Sequence, residues 1–236
     1  MKKFDFMRIL IVLFVCLFPR SVFGVTIEVS TEGTLEQVID NSDEPSFAEL
    51  KIIGRLNADD IVYLRTGTGR ISTVEVLDLS EVSIVGGGGA YATVKYSKTD
   101  DTMDNYSFTF YSSEENRKDV EVVSNMLGGN NYKITYYSNN LAGAFSNMKY
   151  KKVVMPKNVQ EIGVMTFFQC TKLTNVELEN PVEVIEDRAF ESCVSLANID
   201  LSNVKHMGSS AFAGCEILGS TSDGTIDLSS LDAIPD

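Results

Sequence analysis

Five copies of one short pattern, L-x-x-I-x-L, and a final half-copy place Lys51, Asp78, Val154, Glu177, Asp200 and Asp227 at the same internal position. Three of the copies share Asp-Leu-Ser, at Asp78, Asp200 and Asp227. Neighbouring strands of a sheet lie about 4.8 Å apart. Stacking these copies as parallel strands would turn Glu177, Asp200 and Asp227 into a carboxylate ladder. Like charges so close disfavour one another unless a cation or a basic partner separates them. The ladder therefore reads as a calcium site at Glu177, Asp200 and Asp227, as a surface for Lys/Arg-rich protein segments, or as a solvated face that salt screens. Glycoside hydrolysis also uses two carboxyls, about 5–9 Å apart, with one pKa raised. Carboxylates on next-nearest copies satisfy that distance, but nothing in the sequence signals the apolar pocket that would raise a pKa.

A second group suited to contact is aromatic. Tyr91, Tyr96, Tyr106, Tyr111, Tyr132, Tyr136 and Tyr137 crowd into one stretch that carries seven of the nine tyrosines. Tyrosine supplies large, rigid contact area with a polar tip, so Tyr106, Tyr111, Tyr136 and Tyr137 join the acidic residues as candidate ligand contacts. Their other reading is burial of a small sheet. Nucleophilic and metal-assisted catalysis are poorly supplied. His206 is the single histidine, so no second histidine builds a metal cluster and no triad is evident. No catalytic residue and no cofactor are expected.

The elements that must carry these residues are repeats. Phe145, Phe167, Phe190 and Phe212 recur at spacings of 22, 23 and 22 residues, within Ala144-Phe145, Thr166-Phe167, Ala189-Phe190 and Ala211-Phe212. Met148, Cys170, Cys193 and Cys215 follow at a fixed offset. A period in the twenties marks a solenoid in which each unit buries its apolar edge against its neighbours. The three cysteines read as buried thiols acting as small hydrophobes, with a disulfide between two of them as the alternative. The Ala-Phe pair reads as a short helical turn, capped at Asp187 in one unit, and Gly163 and Gly208 as tight-turn positions. Apolar triplets Phe47/Leu50/Ile52, Val74/Leu77/Leu79, Tyr150/Val153/Met155, Leu173/Val176/Leu178 and Leu196/Ile199/Leu201, with a half-unit at Ile226/Leu228, mark six strands with one buried face. Thr34 opens Thr-Leu-Glu-Gln, a capping-box pattern starting a helix to about Asp40, and Asn57 opens a second helix. The glycine run Gly86–Gly89 reads as a hinge or turn, and Tyr106–Tyr111 and Tyr132–Tyr137 as strands.

The opening residues belong to export. Lys2, Lys3 and Arg8 precede the apolar run Ile9–Phe18, which is too short for a membrane span and reads as a secretory signal cleaved after Gly24. Of 20 basic and 33 acidic residues, this segment removes four and one, leaving 16 against 32 and a net charge near −16. So acidic a chain repels phosphate backbones, which excludes nucleic acid as a partner.

The string Ile162-Gly163, Thr166-Phe167, Cys170, Leu173 and Val176-Glu177-Leu178 resembles the repeat unit of BspA-like leucine-rich repeat proteins, the Treponema pallidum type found on surfaces of Bacteroidetes. Leu56–Arg65 and Leu77–Gly87 are similar to the amino-terminal cap of the same proteins. The resemblance implies an α/β fold: a right-handed leucine-rich repeat solenoid with short parallel strands, an N-terminal cap and an antiparallel β insertion. Its divisions are a signal at 1–24, a cap with two rungs at 25–85, a Gly/Tyr-rich insertion at 86–140 and repeats at 141–236. It implies a non-catalytic recognition or adhesion module, exported to the cell surface or secreted, whose partner is a host matrix protein or a bacterial surface macromolecule. No transmembrane segment is expected in the mature chain. A carbohydrate-active enzyme or glycan-handling component using the strand-face carboxylates is the alternative.

Overall fold

The computed structural model describes residues 24–43, 46–88, 92–98, 104–110, 131–134 and 141–219. Its largest feature is a six-stranded sheet built from β1 (Val25–Val29), β2 (Glu49–Leu56), β3 (Val76–Ile84), β7 (Lys152–Val154), β9 (Asn175–Glu177) and β11 (Asn198–Ile199). Neighbours pair in parallel throughout, and they lie side by side in chain order. Between β3 and β7 the chain leaves to make an antiparallel sheet of β4 (Ala92–Lys98), β5 (Asp104–Phe110) and β6 (Asn131–Ile134), in the order β5-β4-β6. It then returns as the very next strand, with Leu77 opposite Val153. The inserted residues therefore leave the pairing of the large sheet unbroken. A third sheet, also parallel, consists of β8 (Glu161–Ile162), β10 (Val184–Ile185) and β12 (His206–Met207).

Two strands extend what the triplets marked. β1 opens the large sheet, although its Val-Thr-Ile-Glu-Val alternation went unassigned above; Ile27 and Val29 are buried. β4 was likewise unassigned, and it is the central strand of its sheet. The half-unit at Ile226/Leu228 lies outside the described residues.

The helical elements sit early. In α1 (Leu35–Asp40) the Thr34 side chain makes no cap; its hydroxyl donates instead to the carbonyl of Thr31. The cap comes from the other helix. Asp60, in α2 (Ala58–Thr66), accepts from the backbone N–H of Leu35 at 2.9 Å and of Gly33 at 2.7 Å. Asp60 also accepts from Asn57 N–H at 2.9 Å, completing a capping box for its own helix. A distant carboxylate outcompetes the local threonine because a charged acceptor makes the stronger bond with an orphan amide. The glycine run packs over the same end: Gly87 accepts from Ala58 N–H, and a Cβ on Gly88 would fall against Asp59.

The repeated phenylalanines form one stack. Phe145, Phe167 and Phe190 are fully buried, and successive ring centroids from Phe145 to Phe212 are 5.4, 5.1 and 5.0 Å apart. Around them the backbone is a series of hydrogen-bonded turns, not the expected helical turn. Met165, Phe167 and Gln169 donate to Asp187, Ala189 and Glu191 of the next unit, while Thr166, Phe168 and Cys170 donate back within their own unit to Gly163, Met165 and Phe167. A helix would direct every N–H along its own axis and leave none for the neighbour. The alternation is obtained by left-handed residues two before and two after each phenylalanine, such as Met165 (φ 53°), Gln169 (φ 57°), Arg188 (φ 55°) and Ser192 (φ 63°). Each costs about 1–2 kcal/mol for a residue with a Cβ, offset by three inter-unit hydrogen bonds per junction.

Other repeat positions follow from the same stacking. Asp187 accepts from Ser209 N–H of the following unit at 2.7 Å, so it ties two units together. Neither Gly163 nor Gly208 has a positive φ. What requires glycine at 208 is proximity, since a Cβ there would overlap the Glu186–Asp187 backbone. Cys170, Cys193 and Cys215 are free thiols, and each donates to the carbonyl of the preceding unit's phenylalanine: Phe145 at 3.1 Å, Phe167 at 3.0 Å and Phe190 at 3.1 Å. The thiols are thus hydrogen-bond donors as well as small hydrophobes. The neighbouring Cys170 thiol, then burial, pushes the Cys193 thiol up, and burial pushes Cys215 up to about 12. Native protein at about pH 8 should therefore leave Cys170 and Cys193 unmodified by a thiol reagent, with half-buried Cys215 reacting first and all three reacting on unfolding. Mass spectrometry of the alkylated protein checks this order.

Candidate functional site

The large sheet exposes one face, and its register decides which side chains meet there. Thr26, Lys51, Asp78, Val154 and Glu177 form one row across β1, β2, β3, β7 and β9. Asp200 follows β11 at the same level, one residue beyond the Ile199–Val176 pair. A second row, two residues earlier, runs Glu49, Val76, Lys152, Asn175 and Asn198. Alternation along a strand turns residues two apart to the same side. Together the rows line an open groove of about 380 Å³, floored by Val76 and Val154 and flanked by Glu49, Lys51, Asp78, Lys152 and Glu177.

Asp78 and Glu177 of the groove are paired with lysines. Lys51 lies 2.7 Å from Glu81 and 3.5 Å from Asp78; Lys152 lies 2.6 Å from Glu177. Asp78 also accepts from Ser80 N–H at 2.8 Å, and Asp200 from Ser202 N–H at 2.9 Å. The shared Asp-Leu-Ser triplet thus makes the same short-range Asp-to-Ser contact in both described copies, inside β3 at Asp78 and just after β11 at Asp200. Burial works to raise the pKa of Asp78, but the bonds from Ser80 and Lys51 win and hold it below the ordinary carboxylate value. The hydrogen bond from Lys51 similarly lowers Glu81, and Glu81 in turn raises Lys51. A depressed carboxyl is the wrong state for a general acid, so Asp78 does not suit that role in glycoside hydrolysis.

Of the residues expected to form the ladder, Glu177 and Asp200 are neighbours on β9 and after β11, and Asp227 lies outside the described residues. Among the described residues no group of three or more His, Cys, Asp or Glu is placed to hold a metal ion. Lys152 and Glu81 were missed because only the middle of each strand was considered. The signal existed: Lys152 stands two residues before Val154 and so shares its face. Tyr106 sits on β5 directly opposite Tyr96 on β4, and Tyr132 on β6 opposite Val94. Tyr91, Tyr111, Tyr136 and Tyr137 lie outside the described residues. His206 is exposed on β12, across from Val184 in the third sheet and away from the groove.

Residues 141–224 match, in six copies, the family described as BspA type leucine rich repeat region. No curated protein matches the chain. The matched span supports a BspA-like leucine-rich repeat protein, of a kind generally non-catalytic, used for protein–protein or surface interactions, and typically surface-borne or secreted. Among the described residues no helix is long and apolar enough to cross a membrane.

Proposed function

We propose that this BspA-like repeat protein is an exported recognition module that grips a macromolecular partner along the open face of its six-stranded sheet. In this reading the chain is a right-handed solenoid, residues 25–85 form its amino-terminal cap and residues 86–140 an insertion that leaves the binding face continuous. The observation that carries it is the groove itself, where lysine–carboxylate pairs flank a floor of half-buried Val76 and buried Val154 on a parallel sheet. Such a surface supplies charge complementarity for specificity and low apolar ground for contact. Partners of the stated chemistry are a host matrix protein or a macromolecule of the bacterial surface.

The test is capture of host matrix and bacterial surface extracts by the mature protein, followed by affinity measurement on the retained partner. The double substitution Asp78→Lys and Lys152→Glu inverts charge at two strands of the face. It should weaken binding at least about tenfold, the scale of truncating interface charge pairs, while far-UV circular dichroism should report the same fold with a lowered melting temperature, because each side chain leaves an ion pair. Unchanged affinity in the double variant would remove the strand face from the reading.

A further inference from the structure

The third sheet brings two carboxyl groups together on the side of the molecule that the groove does not use. Glu161 opens β8, and Glu186 follows β10, whose Ile185 pairs with Ile162. Glu186 N–H donates to the Ile162 carbonyl at 2.8 Å, which extends the pairing by one residue and brings Glu186 alongside Gly163. On the opposite side a Cβ at Gly208 would meet the Glu186 backbone. Glu186 is therefore flanked by two residues without side chains. Because Glu161 pairs with Val184, Glu186 stands two positions further along on the same face of this sheet, a diagonal placement that lets two glutamate side chains meet in a hydrogen bond. Ionised carboxylates only accept hydrogen bonds, so this contact requires one proton between the two groups.

We propose that Glu161 and Glu186 form a proton-operated latch: a single shared proton ties the unit bearing β8 to the unit bearing β10, and its loss sets two half-buried carboxylates against each other across that junction. The charged groups around the pair are Asp187, whose carboxylate is held by Ser209 N–H, His206 on β12, and the ion pair of Glu183 with Lys205 at 2.7 Å. Burial first, then the bond and charge of Glu161, then the charge of Asp187, raise Glu186 from the ordinary 4.5 to about 7. A folded-state pKa above the unfolded one means that the folded state holds its proton more tightly. The stabilisation is complete below about 4.5 and is lost as pH climbs through about 7.

Thermal unfolding of the mature protein between about pH 5 and about pH 8 tests the latch. The melting temperature of the wild type should fall by several degrees across this window. E186Q, which mimics the protonated form, should abolish the step, and E161Q should shrink it. Histidine changes charge in the same range, so H206Q is the control and should keep the step. A flat wild-type profile, or an undiminished step in E186Q, overturns the proposal. Carbon-13 NMR of the glutamate carboxyls reads the site directly and does not depend on the variants folding: titration of Glu186 near 7 supports the latch, and titration of Glu186 near the ordinary glutamate value overturns it.

Discussion

Phe167→Ala should lower the unfolding free energy by about 3–5 kcal/mol, the range for deleting a fully buried aromatic ring. Phe167 has ring neighbours on both sides, at 5.4 and 5.1 Å, so the substitution also breaks two stacked contacts worth about 0.5–1.5 kcal/mol each beyond area burial. Because each unit touches only its neighbours, the loss falls on two junctions at once. Urea unfolding should therefore show a lower midpoint and a broadened or split transition. Phe212 is only partly buried and stacks on one neighbour, so Phe212→Ala should cost less than half as much. Equal costs for the two variants would contradict a shared apolar spine.

Asp60→Ala should be nearly as damaging, on the order of 4 kcal/mol, since a buried donor left without its acceptor costs about 1–3 kcal/mol. Three amides lose their partner together: Gly33, Leu35 and Asn57. Asp60 is 2 % exposed, so water does not readily replace it. Burial lifts its carboxyl above the ordinary value while those three amides pull the other way. Asp60→Asn retains an acceptor oxygen and should recover about half of the loss, whereas Thr34→Ala should shift stability by no more than about 0.5 kcal/mol, as expected of a surface side chain that caps nothing. Circular dichroism melts of the three variants give the ranking.

The two cases mark where sequence reasoning reaches and where it stops. The phenylalanine stack was legible because a repeated apolar residue at constant spacing has one economical explanation, burial in register. The strands carrying Leu77, Val153 and Val176 were legible for the same reason. Asp60 was not, because a capping-box pattern at Thr34 is a local signal and the acceptor that displaces it comes from another helix. The turns around each phenylalanine misled in a similar way. Helical propensity describes a segment by itself, while these segments adopt left-handed residues in order to hydrogen-bond to the next unit.

At the candidate site the division is similar. Asp78, Val154, Glu177 and Asp200 could be placed on one face by counting, since side-chain alternation is a property of the strand. Their electrostatic state could not. Lys51 reaches Asp78 from β2, and Lys152 reaches Glu177 from the adjacent strand β7, so what read as a ladder of like charges is in part a set of ion pairs. Sequence alone determined the repeat period, the buried positions and the acidity of the chain, because these follow from the order and type of residues. Only the tertiary structure decided which charges neutralise one another, which amides are capped and which two carboxyls share a proton. Those outcomes depend on distances between residues remote in the chain, and Coulomb and hydrogen-bond energies respond to distance rather than to order.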